Sequence, residues 1–207
     1  APNMAAEVTC LATDDLFLGN VLKNRDFLAL RQRADNADID VNLVPADNRR
    51  KAILIADMDS TIITTESLDE LAALAGIGEQ VKAIPRRSMA GELDFETALN
   101  ERVAMLAGKP KELIDQIISN SKLTDGARIL VQTMRANRAF CYLVSGGFES
   151  LTGPIATKCR FHGHHANHLD HDEKSISGTV RKPILDRQAK ITFLRHYCQL
   201  HDVGLSA

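Results

Sequence analysis

The sequence predicts an α/β fold in which a parallel sheet is packed between helices and a helical cap is inserted after the first core strand. Residues 52–56 are apolar without alternation, which is typical of a strand covered on both faces, and residues 138–144 form a second such run. Five segments with helical periodicity lie between the two runs. A crossover between parallel strands usually needs one helix, so the additional helices predict a separate cap.

Length and composition are those of an ordinary globular protein with room for one core and an accessory piece. Of the 207 residues, 44% are hydrophobic and 25% are charged, and the formal net charge is -2. This balance gives no reason to expect nucleic acid as a partner, although local Arg and Lys can bind an anionic substrate. With no apolar stretch of about 18 residues and no signal-peptide pattern, we expect no membrane association and a cytoplasmic location. The scattered cysteines favour free thiols over disulfides.

Residues 1–50 are interpreted as a small N-terminal accessory lobe and linker. Their pattern predicts a strand at 8–12, a helix at 16–33 and a strand at 39–44, followed by a polar linker. No residue in this lobe belongs to a catalytic pattern. Two roles stay open for it, namely a dimerisation element of a homodimer or a piece that packs onto the main domain.

The cap is assigned to residues 66–119, and the core to residues 51–65 and 120–207. Predicted cap helices, separated by breaks that contain Gly or Pro, cover residues 66–75, 80–90, 94–107 and 111–119. Predicted core helices cover residues 126–136, 148–158 and 186–200. A cap over the carboxyl ends of the strands could close on a substrate and exclude water.

Two carboxylates follow the first core strand, in the motif Asp57-Met-Asp-Ser-Thr61. Residues two apart on an extended chain point the same way, so Asp57 and Asp59 face one volume at the strand end, where open α/β sheets bind ligands. Their repulsion calls for a cation, a shared proton or a reacting group. This pattern indicates a carboxylate nucleophile, Asp57, which attacks phosphorus with Mg2+ as cofactor, while Asp59 protonates the leaving oxygen. The alternative is a polar turn whose hydroxyls cap the next helix.

The second core strand ends in Ser145-Gly146-Gly147. A hydroxyl and two glycines at a strand end let backbone N–H groups approach a phosphate closely, although the same residues alone would indicate only a turn. Lys190 lies near the start of the last predicted helix. In a site that gathers several negative oxygens, such a lysine is expected as a charge partner of phosphate.

Residues 159–180 contain five of the seven histidines. These are His162, His164, His165, His168 and His171. Together with Cys159 they raise the hypothesis of a zinc site, but their spacings fit no compact ligand pattern. We interpret the segment as a polar hairpin that ends at Ser177-Gly178 and forms a solvated, variable loop.

Together these motifs resemble the phosphoserine phosphatases of the haloacid dehalogenase superfamily, from about residue 51 to residue 207. The resemblance rests on the Asp57 motif, the sequence Met89-Ala-Gly-Glu-Leu-Asp-Phe95 leading to Arg102-Val103, the sequence Val144-Ser-Gly-Gly-Phe148, and Lys190. It implies a three-layer Rossmann-like core. It also implies hydrolysis of O-phosphoserine to serine and phosphate through an aspartyl-phosphate intermediate, the last step of serine biosynthesis.

The resemblance further implies roles for the catalytic residues. Asp57 would be nucleophile and metal ligand, and Asp59 would be general acid/base and offer its backbone carbonyl to Mg2+. The phosphate oxygens would be held by Ser145, the Gly146 amide and Lys190, because positioning and electrostatics carry most of phosphoryl transfer.

The remaining implied roles concern recognition of the serine part of the substrate. Glu66 would pair with the ammonium and Arg102, with its planar fork, would pair with the carboxylate. Met89 and Phe95 would line the apolar wall of the closed cap. Read singly, the same residues would be an ordinary first-turn glutamate, a surface ion-pair partner and two core side chains.

In the family a further strand follows, ending in a Gly-Asp-Gly-x-Asn-Asp motif that supplies another metal carboxylate, and the 207 residues stop before it. The parallel sheet is therefore expected to be incomplete and the Asp57 strand to lack a neighbour. Either the sequence belongs to a longer protein, which the intact upstream positions favour, or catalysis is impaired. Other functions left open are a superfamily phosphatase with a different small substrate and a phosphate-binding module. A phospho-accepting receiver domain would leave the helical insertion unexplained.

Overall fold

The computed structural model describes residues 7–12, 15–19, 24–42, 50–89 and 93–205, with side chains described outside residues 7–26, 83 and 85–89. By contacts the chain divides into two units, Ala1–Arg50 and Lys51–Leu205, which are described one at a time. Among the described residues, no helix is both long enough and apolar enough to cross a bilayer.

The N-terminal unit contains strands β1 (Glu7–Ala12) and β2 (Asp15–Gly19), which pair antiparallel, and helix α1 (Asn24–Asp35). The helix predicted from residue 16 was therefore wrong over residues 16–19. A short apolar run fits a strand as well as a helix, and here pairing with β1 selects the strand. The strand predicted at 39–44 was also wrong over residues 39–42, since Asp38 takes a φ of 54° and Ile39 N–H donates to Ala34 O of α1. Residues 43 and 44 lie outside the described part.

The second unit is built on a four-stranded sheet. Its strands are β3 (Ile53–Ala56), β4 (Phe140–Phe148), β5 (Gly163–His171) and β6 (Ile176–Arg181), in the order β3-β4-β5-β6. The first three run parallel and β6 runs antiparallel to β5. The predicted α/β fold with a mostly parallel sheet is confirmed. In the described part of the chain, β3 pairs with β4 alone.

Helices cover both faces of this sheet. They are α6 (Ala127–Ala136), α7 (Glu149–Cys159) and α8 (Arg187–Leu200). The Tyr142 ring of β4 stacks on Tyr197 of α8, with centroids 3.4 Å apart. The next side chain back along the strand, Cys141, places its Sγ 3.9 Å from Val131 O of α6. Because successive strand side chains point to opposite faces, α8 and α6 lie on opposite sides of the sheet and make three layers.

The prediction of a solvated, variable loop at residues 159–180 was wrong. This segment supplies β5, which pairs with β4 and buries Ala166, Asn167 and Leu169, and then turns into β6 as a hairpin. Its histidines tolerate partial burial because they are hydrogen bonded. His164 Nδ1 lies 2.9 Å from Thr152 Oγ1, and His165 Nε2 lies 2.6 Å from Tyr197 OH.

We predict that the free energy of unfolding falls as the pH drops from about 7.5 to about 5. Burial is the main cause that lowers the pKa of His165, followed by the neighbouring His164 and His196, and burial also lowers the pKa of His162. An unfolded histidine titrates near pH 6.5, so below that pH the unfolded chain binds protons that the folded chain does not. This contribution to stability is therefore complete above about pH 6.5 and is lost below it.

Urea unfolding at about pH 7.5, 6 and 5 measures this effect. His165→Gln should reduce the pH dependence, whereas His171→Gln, at an exposed position, should leave it intact. Carboxylates with a lowered pKa, such as Asp170, lose their contribution only below their ordinary value of 3.8, outside this window. Asp59, whose pKa is raised, acts in the opposite direction to the histidines, but it is present in both histidine variants and cancels in their comparison. A stability that is constant across the window would contradict the prediction.

Four helices follow β3. They are α2 (Ser67–Leu74), α3 (Gly78–Met89), α4 (Phe95–Ala104) and α5 (Glu112–Asn120). All four predicted cap helices are thus present, with bounds shifted by a few residues. By contacts they belong to the same unit as the sheet, so the division of the chain at residues 66 and 119 stays a prediction.

Backbone hydrogen bonds fasten these helices to the core at two places. The linkers on either side of them pair, since Thr64 N–H donates to Lys122 O and Thr124 N–H donates to Ile62 O, each at 3.0 Å. Farther along, Gly108 N–H donates to Ile176 O of β6 at 2.9 Å. The helical segment is therefore held at its linkers and at the hairpin.

Candidate active site

A cavity of about 650 Å³ opens where β3 and β4 end and the helical segment covers them. The structure brings eight of the nine predicted site residues to its lining: Asp57, Asp59, Glu66, Phe95, Arg102, Ser145, Gly146 and Lys190. The ninth, Met89, is the last residue of α3, and its side chain lies outside the described part. Leu68, Leu99 and Phe148 add apolar surface to the lining.

Asp57 is the first residue after β3, and its two carboxylate oxygens have different partners. Oδ1 accepts a hydrogen bond from Met58 N–H at 2.8 Å, and Oδ2 lies 2.7 Å from Lys190 Nζ. Lys190 is carried by α8, whose first turn is capped by Asp186 through hydrogen bonds from the N–H groups of Gln188 and Ala189. A carboxylate at a strand end and a lysine on a helix start are thus fixed as an ion pair.

Asp59 lies deeper, within the turn 58–62 that follows β3. Its Oδ1 accepts a hydrogen bond from Ser67 N–H at 2.8 Å. Burial raises the pKa of Asp59, the hydrogen bonds from Ser67 oppose this rise, and the charges of Glu66 and Asp57 add to it. A carboxyl group with a raised pKa holds a proton more readily near neutral pH, which suits a proton donor.

The glycines after Ser145 are needed because other groups approach their backbone closely. Ser145 is buried, and its Oγ accepts a hydrogen bond from Gly147 N–H at 2.9 Å. A Cβ on Gly147 would lie 3.0 Å from Asp59 Oδ2 and 3.2 Å from Ser145 Oγ. A Cβ on Gly146 would lie 3.0 Å from Phe95 Cζ. The loop therefore packs directly against the carboxylate on one side and the α4 aromatic ring on the other.

The charged residues at the helical side of the cavity already have protein partners. Glu66 Oε1 accepts a hydrogen bond from Ser60 Oγ at 2.7 Å, and Ser60 itself takes a left-handed φ of 50°. Arg102 forms an ion pair with Asp69 of α2. A single negative and a single positive side chain thus face the cavity from the start of α2 and the end of α4.

Two residues that contact lining residues from outside the cavity, Asn167 and Asp69, were not predicted from the sequence. Asn167 is buried on β5, where its Nδ2 donates to Gly146 O at 2.8 Å and to Leu185 O at 3.2 Å, and its Oδ1 accepts from Leu185 N–H at 2.7 Å. It thereby ties the glycine loop to the segment that leads into α8. The partners lie 18 and 21 residues away, so no local pattern could reveal them.

The donor set fits Mg2+ better than zinc. No group of three or more His, Cys, Asp or Glu residues within the described ranges is placed to hold a metal. Mg2+ typically uses one or two protein carboxylates together with substrate phosphate and water, whereas structural zinc needs a full set of nitrogen or sulfur ligands. Asp57 can supply a carboxylate to such an ion, and the repulsion between Asp57 and Asp59 that contributes to the raised pKa of Asp59 is what a cation relieves.

Comparisons with known proteins find phosphoserine phosphatases among the similar chains. A phosphoserine phosphatase of Archaeoglobus fulgidus is 35% identical over 163 residues, which cover 78% of this chain and 47% of that protein. One from Lactococcus lactis subsp. lactis is 33% identical over 156 residues, covering 75% of this chain and 72% of that protein. A solved structure of a phospho-aspartyl intermediate analogue of phosphoserine phosphatase is 30% identical with a TM-score of 0.69, covering 76% of this chain and 75% of that chain.

The chain thus spans about half the length of the first relative, at 47%, and most of the second. The sequence model of the haloacid dehalogenase-like hydrolases matches residues 54–207, which include β3 apart from its first residue, the helical segment and the other three strands. On this match, and on the acidic pair that follows its first core strand, the chain belongs to the haloacid dehalogenase-like hydrolases.

Proposed function

We propose that this protein is a phosphoserine phosphatase, which hydrolyses O-phosphoserine to serine and inorganic phosphate. The observation that carries the proposal is the ion pair of Asp57 with Lys190, 2.7 Å long, at the floor of a cavity whose helical side presents one carboxylate, Glu66, and one guanidinium, Arg102. This charge pattern is complementary to a molecule that bears a phosphate, an ammonium and a carboxylate. The identity of 33% to the L. lactis phosphoserine phosphatase, 72% of whose length is covered, supports the same substrate.

The proposed reaction has two steps on Asp57. An Asp57 oxygen attacks phosphorus, the bond between phosphorus and the seryl oxygen breaks, and Asp59 gives its proton to that oxygen as serine leaves. Asp59 then takes a proton from the water that attacks the acyl phosphate, which releases phosphate and restores Asp57. The side chain of Lys190, now paired with Asp57, moves onto the phosphate oxygens, where Ser145 and the Gly146 amide also donate.

Mg2+ is the proposed cofactor, with Asp57 and the backbone carbonyl of Asp59 as its protein ligands. When bound, it supplies positive charge that lets an anionic nucleophile approach an anionic phosphate. Phe95 and Met89 are proposed to line the apolar wall of the cavity. Assembly into a homodimer through the N-terminal unit stays a prediction.

We expect O-phosphoserine to have the highest kcat/KM in a panel of phosphate monoesters assayed with Mg2+. Arg102→Ala should lower kcat/KM for O-phosphoserine by about 10²-fold, because a charge-assisted hydrogen bond to the substrate carboxylate is lost. Phosphate release measures both effects. O-phosphoethanolamine, which lacks the carboxylate, should lose less than about threefold.

Arg128→Ala is the control, since Arg128 is exposed on α6 and is not among the residues that line the cavity. A higher kcat/KM for a different phosphate monoester would indicate a phosphatase of the same family with another substrate. Equal losses on both substrates in the Arg102 variant would contradict its role as carboxylate partner.

A second candidate is a phosphate-binding module without turnover. It would use the same phosphate-binding groups, namely Ser145, Gly146 and Lys190, all of which line the cavity. Titration with Mg2+ separates the two functions. Binding of O-phosphoserine with no Mg2+-dependent phosphate release would select the binding module.

A further inference from the structure

Arg102, which lines the cavity, forms an ion pair with Asp69, which does not. Arg102 lies in the last turn of α4 with its side chain 19% exposed, and its Nη2 pairs with Oδ1 of Asp69 in the first turn of α2. The cavity lining includes Arg102 but not Asp69. Asp69 therefore contacts the guanidinium from outside the cavity.

A guanidinium that is mostly withdrawn from water needs a counter-charge, because an isolated buried cation is costly. Asp69 supplies that counter-charge, but it pairs with Nη2 only. Arg102 Nε is buried and has no hydrogen-bond partner among the described atoms. With five N–H donors in one plane, an arginine anchored at one terminal nitrogen still has donors for a second carboxylate.

We propose that Asp69 is a positioning residue for carboxylate recognition: it anchors Arg102 across α2 and α4 so that the unused donors of the guanidinium face the substrate. This inference rests on the proposed function, because the carboxylate in question is that of O-phosphoserine. Asp69 itself contacts neither substrate nor the reacting atoms.

Two effects of Asp69 oppose each other. Its negative charge repels a substrate carboxylate, whereas its bond to Nη2 fixes the plane of the fork. The Asp69 side chain is 36% exposed, so water screens the repulsion, while the orientation of a hydrogen-bonded fork does not depend on screening. We therefore expect loss of Asp69 to weaken binding of the carboxylate rather than strengthen it.

The test measures binding without turnover, in the Asp57→Asn protein with Mg2+, by calorimetric titration with O-phosphoserine and with O-phosphoethanolamine. Asp69→Ala should raise the Kd for O-phosphoserine about tenfold and the Kd for O-phosphoethanolamine less than about twofold. Asp69→Asn, which keeps an acceptor for Nη2, should recover most of the affinity and stay within about threefold of the parent. In an Arg102→Ala background, Asp69→Ala should have no further effect.

Glu70→Ala is the matched control, since Glu70 is the next acidic residue of the same helix turn and does not line the cavity. It should change neither Kd. If Asp69→Ala does not fold, as judged by circular dichroism, Asp69→Asn carries the test through a smaller rise in Kd, of up to about threefold, that is confined to O-phosphoserine. Three results would overturn the proposal. The first is an equal rise in Kd for both ligands, and the second is an Asp69→Ala effect that is as large in the Arg102→Ala background as in its absence. The third is failure of O-phosphoserine to bind the Asp57→Asn protein.

Phosphate release by the unmodified protein tests the proposed function separately. Release from O-phosphoserine together with unselective Asp69 variants would overturn only the positioning role. Selective variants in a protein that releases no phosphate would overturn only the phosphatase activity.

Discussion

Asp57→Asn is expected to lower phosphate release from O-phosphoserine by at least about 10³-fold. The amide has nearly the shape of the carboxylate but cannot form the acyl phosphate, and it removes the charge that pairs with Lys190 at 2.7 Å. Steady-state phosphate release gives the rate. Acid quenching during turnover followed by mass mapping of the phosphorylated peptide shows where the phosphoryl group resides.

Asp125→Asn is a suitable control, because Asp125 is exposed in the turn before α6 and should keep the full rate. Asp57→Ala guards against deamidation of the asparagine, which would restore a carboxylate. An Asp57 variant that retains more than about a tenth of the rate, or a phosphoryl group mapped to another residue, would remove Asp57 as nucleophile.

Gly147→Ala is expected to reduce kcat by about 10²-fold and also to lower the melting temperature. The new Cβ would lie 3.0 Å from Asp59 Oδ2, 3.2 Å from Ser145 Oγ and 3.3 Å from Met58 Cε. None of these neighbours can easily move, since Asp59 is bonded to Ser67 N–H, Ser145 Oγ to the Gly147 N–H, and Met58 is fully buried. The methyl group therefore displaces the proposed acid or the phosphate-binding hydroxyl.

Gly153→Ala, within helix α7, provides the comparison, because the added Cβ would meet only the His164 ring, with Nε2 at 3.4 Å and Cε1 at 3.5 Å, which are ordinary contacts. That variant should keep its kcat and change little in stability, because the helix preference of alanine is opposed by the disfavoured α conformation of a residue that precedes Pro154. A Gly147→Ala protein with normal kcat would show that the loop accommodates the methyl group without displacing Asp59 or Ser145.

The features that the sequence reveals are those with a local pattern. The runs that form β3 and β4 are recognisable because they are continuously hydrophobic. Asp57 and Asp59 are recognisable because they come just after the end of the first run. The helices between them show the usual helical period. Because parallel strand ends share one edge of a sheet, even the meeting of Asp57 with the Ser145 loop could be expected.

The features that the sequence hides depend on distant partners. β5 carries histidines at positions where a pattern would show apolar residues, and their burial becomes acceptable only through Thr152 and Tyr197, 12 and 32 residues away. β2 was mistaken for helix because pairing with β1 decides its structure. The ion pair of Asp69 with Arg102 joins residues that are 33 positions apart, so no local sequence pattern predicts it.

The Asp59 carboxyl group has two roles, because the proposed proton donor also accepts a hydrogen bond from Ser67 N–H at the start of α2. Glu66, at the N-cap position of α2, makes no capping hydrogen bond with its own side chain, and Asp59 from the preceding turn satisfies the first N–H of that helix instead. Replacing Asp59 would therefore fray the start of the helix that presents both Glu66 and Asp69. The resulting fall in kcat/KM would combine the loss of the proton donor with weaker binding of the substrate. Only a stability measurement made alongside the kinetics can apportion the two.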